Sequence, residues 1–171
     1  QKKAEIIPFL ADIWKGFRRS KPEDFDASPA TGVDKKIVLD IAEKITAIPE
    51  GKKFFKKMEK IMQDRHDMVF KTNKLDWGMA ELLAYATLLK EGHPVRFSGQ
   101  DVERGTFSHR HAVLKVEDSE EEYVPLNHIN GKQADFHIYN SLLSEYAVMG
   151  FDYGYAFATP NALTIWEAQF G

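Results

Sequence analysis

Apolar residues recur at helical spacing in several stretches of this chain. Ile6, Phe9, Leu10, Ile13, Trp14 and Phe17 lie close to an i, i+3, i+4, i+7 face, which predicts a helix over residues 4–19 despite Pro8 near its start. Ser20 to Gly32, with Pro22 and Pro29 among Asp, Ser and Gly, reads as a loop. A second helix fits residues 34–47, with Ile37, Val38, Ile41 and Ile45 on one face. A third fits residues 52–71, burying Phe54, Phe55, Met58, Ile61, Met62 and Val69. Asp76 is the N-cap of a fourth, whose Met79, Leu82, Leu83, Ala86 and Leu89 face a core before Gly92 ends it.

Strand character takes over after His93-Pro94, first in Val95-Arg-Phe97. It returns in Phe136 to Tyr139, where Phe136 and Ile138 alternate with polar neighbours, and in residues 162–166. Between the last two strands a helix starts at Ser144, whose hydroxyl can accept from a free backbone N–H, and Glu145 falls in its first turn. Helices alternating with short strands predict an α/β fold.

Composition narrows the function classes. The 171 residues are 43% hydrophobic and 29% charged, enough for one domain or a domain with an extension. The chain has no cysteine, so a disulfide framework, a thiolate metal site and a Cys nucleophile are excluded. No apolar run approaches the ~20 residues of a membrane span and the N-terminus does not read as a signal peptide, so a cytoplasmic chain without membrane contact is expected. Net charge is −3, with Lys and Arg in excess before residue 76 and Asp and Glu in excess after it. An acidic second half speaks against nucleic-acid binding there. The chain opens at Gln1 and stops at Gly171 soon after a strand, and is read as a piece of a longer polypeptide.

Three stretches invite a chemical reading. Lys52 to Lys57 places four lysines around two phenylalanines, which is read as a solvated helix face with its aromatics turned inward. Ser98 to Leu114 puts polar residues and two glycines directly beyond a strand, where open α/β sheets place ligand sites. Within it His109 and His111 alternate and on a strand would share one face, but Asp101, Glu117 and His128 do not complete a metal-ligand spacing, so no metal site is assigned. The acidic run Glu117 to Glu122 reads as a solvated hairpin tip.

Glu145 carries two readings. It is a first-turn acid stabilised by the helix dipole, or a carboxyl at a strand-to-helix junction, desolvated against Leu142 and Leu143 and suited to exchanging a proton with a ligand. Its position in the sequence does not choose between them.

A resemblance bears on that choice. Leu75-Asp-Trp-Gly-Met-Ala-Glu81, the run from Arg96 through Ser98-Gly-Gln-Asp101 to His109-Arg-His-Ala-Val-Leu114, Leu143-Ser-Glu145, Gly150-Phe-Asp-Tyr-Gly-Tyr155 and Leu163-Thr-Ile-Trp-Glu-Ala-Gln-Phe-Gly171 together resemble the thiamine-diphosphate-dependent 2-oxoglutarate dehydrogenases. The match is dense from about residue 75 onward. It implies an incomplete transketolase-like pyrimidine-binding fold over residues 75–171, preceded by a helical segment over residues 1–74 that leads into it.

The resemblance implies more at single residues. Glu145 falls on the family's glutamate, which hydrogen-bonds a ring nitrogen of the cofactor's aminopyrimidine and promotes the imino tautomer that forms the ylide. Leu143 falls on the apolar residue beneath the cofactor, and Gln100 on a polar residue near cofactor and intermediate. His109, Arg110 and His111 are read as loop-ordering or subunit-interface residues. Asp152 stands where Glu is common, a change that keeps the charge. Magnesium and diphosphate are held in this family through a Gly-Asp-Gly-type motif, which this sequence lacks, so the Mg2+ ligands and the substrate-gripping histidines are expected elsewhere in the longer protein.

That protein is then expected to be a homodimeric oxidoreductase of the tricarboxylic acid cycle. It would decarboxylate 2-oxoglutarate and pass succinyl to a lipoyl-bearing dihydrolipoamide succinyltransferase within a multienzyme complex, while the 171 residues alone would be inactive. Two alternatives stay open: a related thiamine-dependent 2-oxoglutarate decarboxylase or carboligase, and a non-catalytic interaction module.

Overall fold

The computed structural model describes residues 9–169. Side-chain caps start three of the four α-helices described. The Asp34 carboxylate accepts from the Lys36 N–H at 2.7 Å ahead of α1 (Lys35–Thr46). After α2 (Lys56–Asp67), Asp76 accepts from the Met79 N–H at 2.7 Å ahead of α3 (Trp77–Lys90). Each such cap satisfies a donor that the helix itself leaves free, a contribution of about 1 kcal/mol.

β1 (Val95–Gly99) follows α3 through a turn at Gly92. A short antiparallel hairpin, β2 (Leu114–Lys115) and β3 (Glu122–Tyr123), carries the acidic run at its exposed tip. A 3-10 turn over Pro125–His128 then leads to β4 (Phe136–Asn140), α4 (Glu145–Ala158) and β5 (Leu163–Glu167).

β4, β1 and β5 form a parallel sheet with β1 in the middle, Val95 lying level with Phe136 on one side and Leu163 on the other. Alternation then sorts the two faces. Val95, Phe97, Phe136 and Ile138 enter a core shared with Leu82, Tyr85 and Leu89 of α3 and Ile41, Ala42 and Ile45 of α1. Arg96 and Ser98 point to the other face, where both bond Asp152 of α4. Helices thus cover both faces of a parallel sheet, which is the α/β arrangement expected. Each large apolar side chain fully buried in this core is worth about 1.5–3 kcal/mol. No helix among the described residues is long and apolar enough to cross a membrane.

Two expectations need correction. Of the helix expected over residues 4–19, residues 4–8 lie outside the described part and residues 9–16 form turns. Leu10 and Gly16 both have positive φ, which interrupts a right-handed ladder, and the aromatic face finds little beyond Phe157 to pack against. The third helix starts at Lys56, four residues late, because Phe54 is extended opposite Val116 and fills a small second core with Met62 and Leu114. Phe55, expected inside, is left largely exposed at the helix start. His109 and His111 lie, as read from the sequence, in an irregular loop, in which Ser108 and His111 both have positive φ.

Candidate functional site

The carboxyl ends of the three parallel strands gather the residues singled out from the sequence. Gly99 and Gln100 close β1, Asn140 to Ser144 lead from β4 into α4, and Trp166, Glu167 and Gln169 finish β5. Ligand sites of open parallel sheets lie beyond this edge. Hydrogen bonds tie the segments together: the Ser141 N–H donates to the Gly99 carbonyl at 2.7 Å, the Leu143 N–H to Ser141 Oγ at 3.1 Å, and the Glu103 N–H to Asn140 Oδ1 at 3.1 Å.

Glu145 is the first residue of α4, and Ser144 caps that helix by accepting from the Ala147 N–H at 3.4 Å. Its carboxylate is held from β5. Trp166 Nε1–H donates to Oε2 at 2.9 Å and the Gln169 backbone N–H donates to Oε1 at 3.2 Å. The apolar neighbours expected around it are not there: Leu142 is turned fully outward and Leu143 is 51% exposed. Leu143 instead lines a cleft of about 150 Å³ with Arg96, Ser98, Tyr139, Ser141, Val148 and Phe151. The physical reason is the sharp turn at the head of α4, which turns these leucines away while β5 supplies the carboxylate's partners.

Gln100 is half-buried immediately after Gly99. Gly99 has no room for a side chain, since a Cβ there would lie 2.5 Å from the Glu167 carbonyl oxygen and 2.8 Å from Val102. The strand ends therefore approach each other as closely as backbone allows, which fixes where Gln100 leaves the sheet.

Beneath this edge lies an ion network that the sequence did not disclose. Arg110, 2% exposed, reaches both oxygens of Glu167 at 3.2 and 2.5 Å, Glu81 Oε1 at 3.1 Å and the Val102 carbonyl at 2.8 Å. Its guanidinium also sits 4.3 Å from the centre of the Phe97 ring. Burial opposes its charge, but the Glu167 and Glu81 carboxylates outweigh that and hold its pKa above the ordinary arginine value. Arg65 of α2, also buried, donates to the backbone carbonyls of His109, Arg110 and His111. Burial pulls its pKa down to about 10, still above neutral pH.

The loop carrying His109 and His111 is thus ordered from below. His111 is 3% exposed, and burial first, then Lys57, Arg65 and Arg104, lower its pKa to about 4. His109 packs its ring on Gly105, and the two histidines are separated by the arginine that bonds the carboxylates. Among the described residues no cluster of three or more His, Asp or Glu side chains is arranged to hold a metal ion. Asp152 is buried and bonded to Arg96 and Ser98, and Arg96 is in turn surrounded by the rings of Tyr139, Phe151 and Tyr155. Sequence reasoning quoted Trp166, Glu167 and Gln169 within a motif but had no signal that they bond Glu145 and Arg110, because those contacts join residues far apart in the chain.

Comparison with known proteins adds to this geometry. The family described as transketolase, pyrimidine binding domain, matches residues 73–171, more than half of the chain. The chain is similar to the mitochondrial 2-oxoglutarate dehydrogenase of Schizosaccharomyces pombe, 46% identical over 171 residues, which covers 99% of this chain and 17% of that protein. It is similar to the 2-oxoglutarate dehydrogenase E1 component of Azotobacter vinelandii, 50% identical over 164 residues, covering 96% of this chain and 16% of the relative. The E1 component of Oceanobacillus iheyensis is 43% identical over 181 residues, with 99% of this chain and 19% of the relative covered. The chain thus spans less than a fifth of the length of these relatives.

Proposed function

The chain belongs to the transketolase pyrimidine-binding domain family, and from that premise we propose that it forms the pyrimidine side of a thiamine diphosphate site in a 2-oxoglutarate dehydrogenase. The supporting observation is the Glu145 carboxylate, fixed at the carboxyl edge of a parallel sheet with one hydrogen bond on each oxygen. A carboxylate has about four acceptor positions, so Glu145 keeps lone pairs free for a further donor such as a protonated ring nitrogen. The donor set therefore fits the group.

Thiamine diphosphate, when bound, supplies a nucleophilic thiazolium carbon and an electron sink for the pair released with CO2. The chain's own residues contribute the following. Glu145 shares a proton with a ring nitrogen of the aminopyrimidine, a charge-assisted hydrogen bond of the strong kind. Leu143 gives an apolar surface for the cofactor, and Gln100 offers an amide at the end of β1. The residues that hold Mg2+, diphosphate and the substrate carboxylates are contributed by other parts of the longer protein.

That longer protein, in this reading, is a homodimer that decarboxylates 2-oxoglutarate and passes succinyl to a lipoyl-bearing dihydrolipoamide succinyltransferase of the tricarboxylic acid cycle complex, while residues 1–171 alone are inactive. Residues 1–74 serve as a helical lead-in to the domain over residues 75–171. Bacterial relatives support a cytoplasmic location, and fractionation of source cells tests it against the mitochondrial one that the Schizosaccharomyces pombe relative's name states.

The test is 2-oxoglutarate decarboxylation by the intact protein with an artificial electron acceptor, with and without thiamine diphosphate and magnesium. Activity should depend on the cofactor and fall at least ~100-fold in Glu145→Ala, the range expected for a proton-transfer group. Near-parental activity in that variant contradicts the role of Glu145. Absence of thiamine-dependent turnover of any 2-oxoacid contradicts the function itself.

A further inference from the structure

We propose that Trp166 is a positioning residue for Glu145, setting the direction in which its carboxylate faces the cofactor. This rests on the reading of Glu145 given above. A glutamate in the first turn of a helix has three rotatable side-chain bonds and no neighbour below it in the helix to restrain them. A proton-sharing contact needs its carboxylate aimed within a narrow range, since a displacement of about 1 Å can cost two orders of magnitude in rate.

In this chain two donors meet that need, one on each oxygen, and both come from the end of β5. Trp166 Nε1 lies 2.9 Å from Oε2 and the Gln169 N–H 3.2 Å from Oε1. Together they define the plane of the carboxylate and leave its remaining lone pairs for the ligand. The indole N–H donates and cannot accept, so its match to the carboxylate oxygen has one direction only. Trp166 is the only side chain among these two donors, the other being backbone.

The platform that carries the indole is itself fixed. Successive residues of a strand face opposite sides of a sheet, so Trp166 turns toward α4 while Glu167 turns toward α3. Glu167 is bonded through both oxygens to Arg110, which is anchored on Glu81 of α3 and on the Val102 carbonyl. On the strand's inner side Ser98 and Gly99 of β1 pair with Trp166 and Glu167, and the absent side chain of Gly99 permits that approach. The last two residues of β5 are thus pinned by Arg110 on one face of the sheet and by β1 along their length, and the indole N–H inherits that fixed position.

The experiment uses the intact protein and two readouts: the thiamine diphosphate dissociation constant measured calorimetrically with magnesium present, and kcat and KM for 2-oxoglutarate. Trp166→Phe keeps an aromatic ring and removes the N–H. It should lower kcat about 10-fold, leave KM for 2-oxoglutarate within about twofold, and weaken cofactor binding about 5-fold, in line with an orientation defect. Trp166→His, which retains a ring N–H, should recover part of both losses.

The second arm separates positioning from a general structural role. In a Glu145→Ala background, which removes the acceptor, Trp166→Phe should change the cofactor dissociation constant no further, because residues acting through one contact are non-additive. An unchanged kcat and dissociation constant in Trp166→Phe would overturn the proposal. So would an equal loss of cofactor affinity with and without the Glu145 carboxylate, which would mean that the tryptophan acts independently of it. If Glu145→Ala alone keeps parental activity and affinity, the reading of Glu145 fails first and the positioning role with it.

Discussion

His111 makes folding stability depend on pH in a defined direction. Its imidazole is buried beside Arg65, with Lys57 and Arg104 adding positive charge and Asp101 opposing them, and its pKa lies at about 4 in the folded chain. In the unfolded chain the ordinary value of about 6.5 applies. Between these values the unfolded state binds the extra proton, so the contribution is fully present above pH 6.5 and is lost as the pH falls toward 4. Integrating that linkage to pH 5 gives a loss of about 2 kcal/mol, a sizeable part of a typical total of about 5–15 kcal/mol.

The assay is denaturant unfolding of the chain at pH 7.5 and pH 5, beside His111→Asn. Asparagine tolerates the positive φ at this position better than most residues and does not titrate. The other five histidines are common to both proteins, so their effects cancel in the comparison. The difference in pH sensitivity should be about 2 kcal/mol, the variant being the less sensitive. Identical pH dependence in the two proteins would refute the assignment of a buried, neutral His111.

Two further substitutions test the edge of the sheet. Arg110→Met leaves Glu81 and Glu167 facing each other without their shared cation, and should destabilise the chain by about 3–5 kcal/mol in the same unfolding assay, with Glu167→Gln added to the variant recovering part of the loss. Gly99→Ala places a methyl group 2.5 Å from the Glu167 carbonyl oxygen, and should cost about 1–3 kcal/mol by overpacking and slow amide exchange less effectively along β5 than the unsubstituted chain does, as hydrogen-exchange mass spectrometry can check.

Local signals in the sequence carried much of the fold. Asp76 and Ser144 cap helices because a short polar side chain before an apolar period has few other roles, and both are found doing so, while Asp34, read as the first residue of its helix, is found capping it. β1, β4 and β5 were visible as short apolar runs beside turn residues. What escaped notice depends on tertiary partners. The apolar period over residues 4–19 predicts a helix only if a surface receives it, and Phe9, Ile13, Trp14 and Phe17 remain largely exposed. Phe54 carries no local mark of being extended; Val116, 62 residues later, decides it.

The site divides in the same way. Glu145 at the head of its helix was legible from position and from the resemblance, as were Leu143 and Gln100 near strand ends. The grip of Trp166 and Gln169 on Glu145 and the Arg110 clamp on Glu167 and Glu81 are products of strand order, which periodicity does not encode. The loop around His109 and His111 was legible from its polar residues and glycines, but the positive φ at Ser108 and His111 and the carbonyl bonds to Arg65 that order it were not.

The most direct test of Glu145 is the rate at which the thiazolium C2 proton of bound thiamine diphosphate exchanges for deuterium in the intact protein, followed by NMR after rapid acid quench, with Glu145→Gln alongside. A carboxylate that shares its proton with the aminopyrimidine predicts exchange slowed by at least ~100-fold in the variant while cofactor remains bound. Exchange at the parental rate in Glu145→Gln would contradict the central claim and return Glu145 to the role of a first-turn acid of α4.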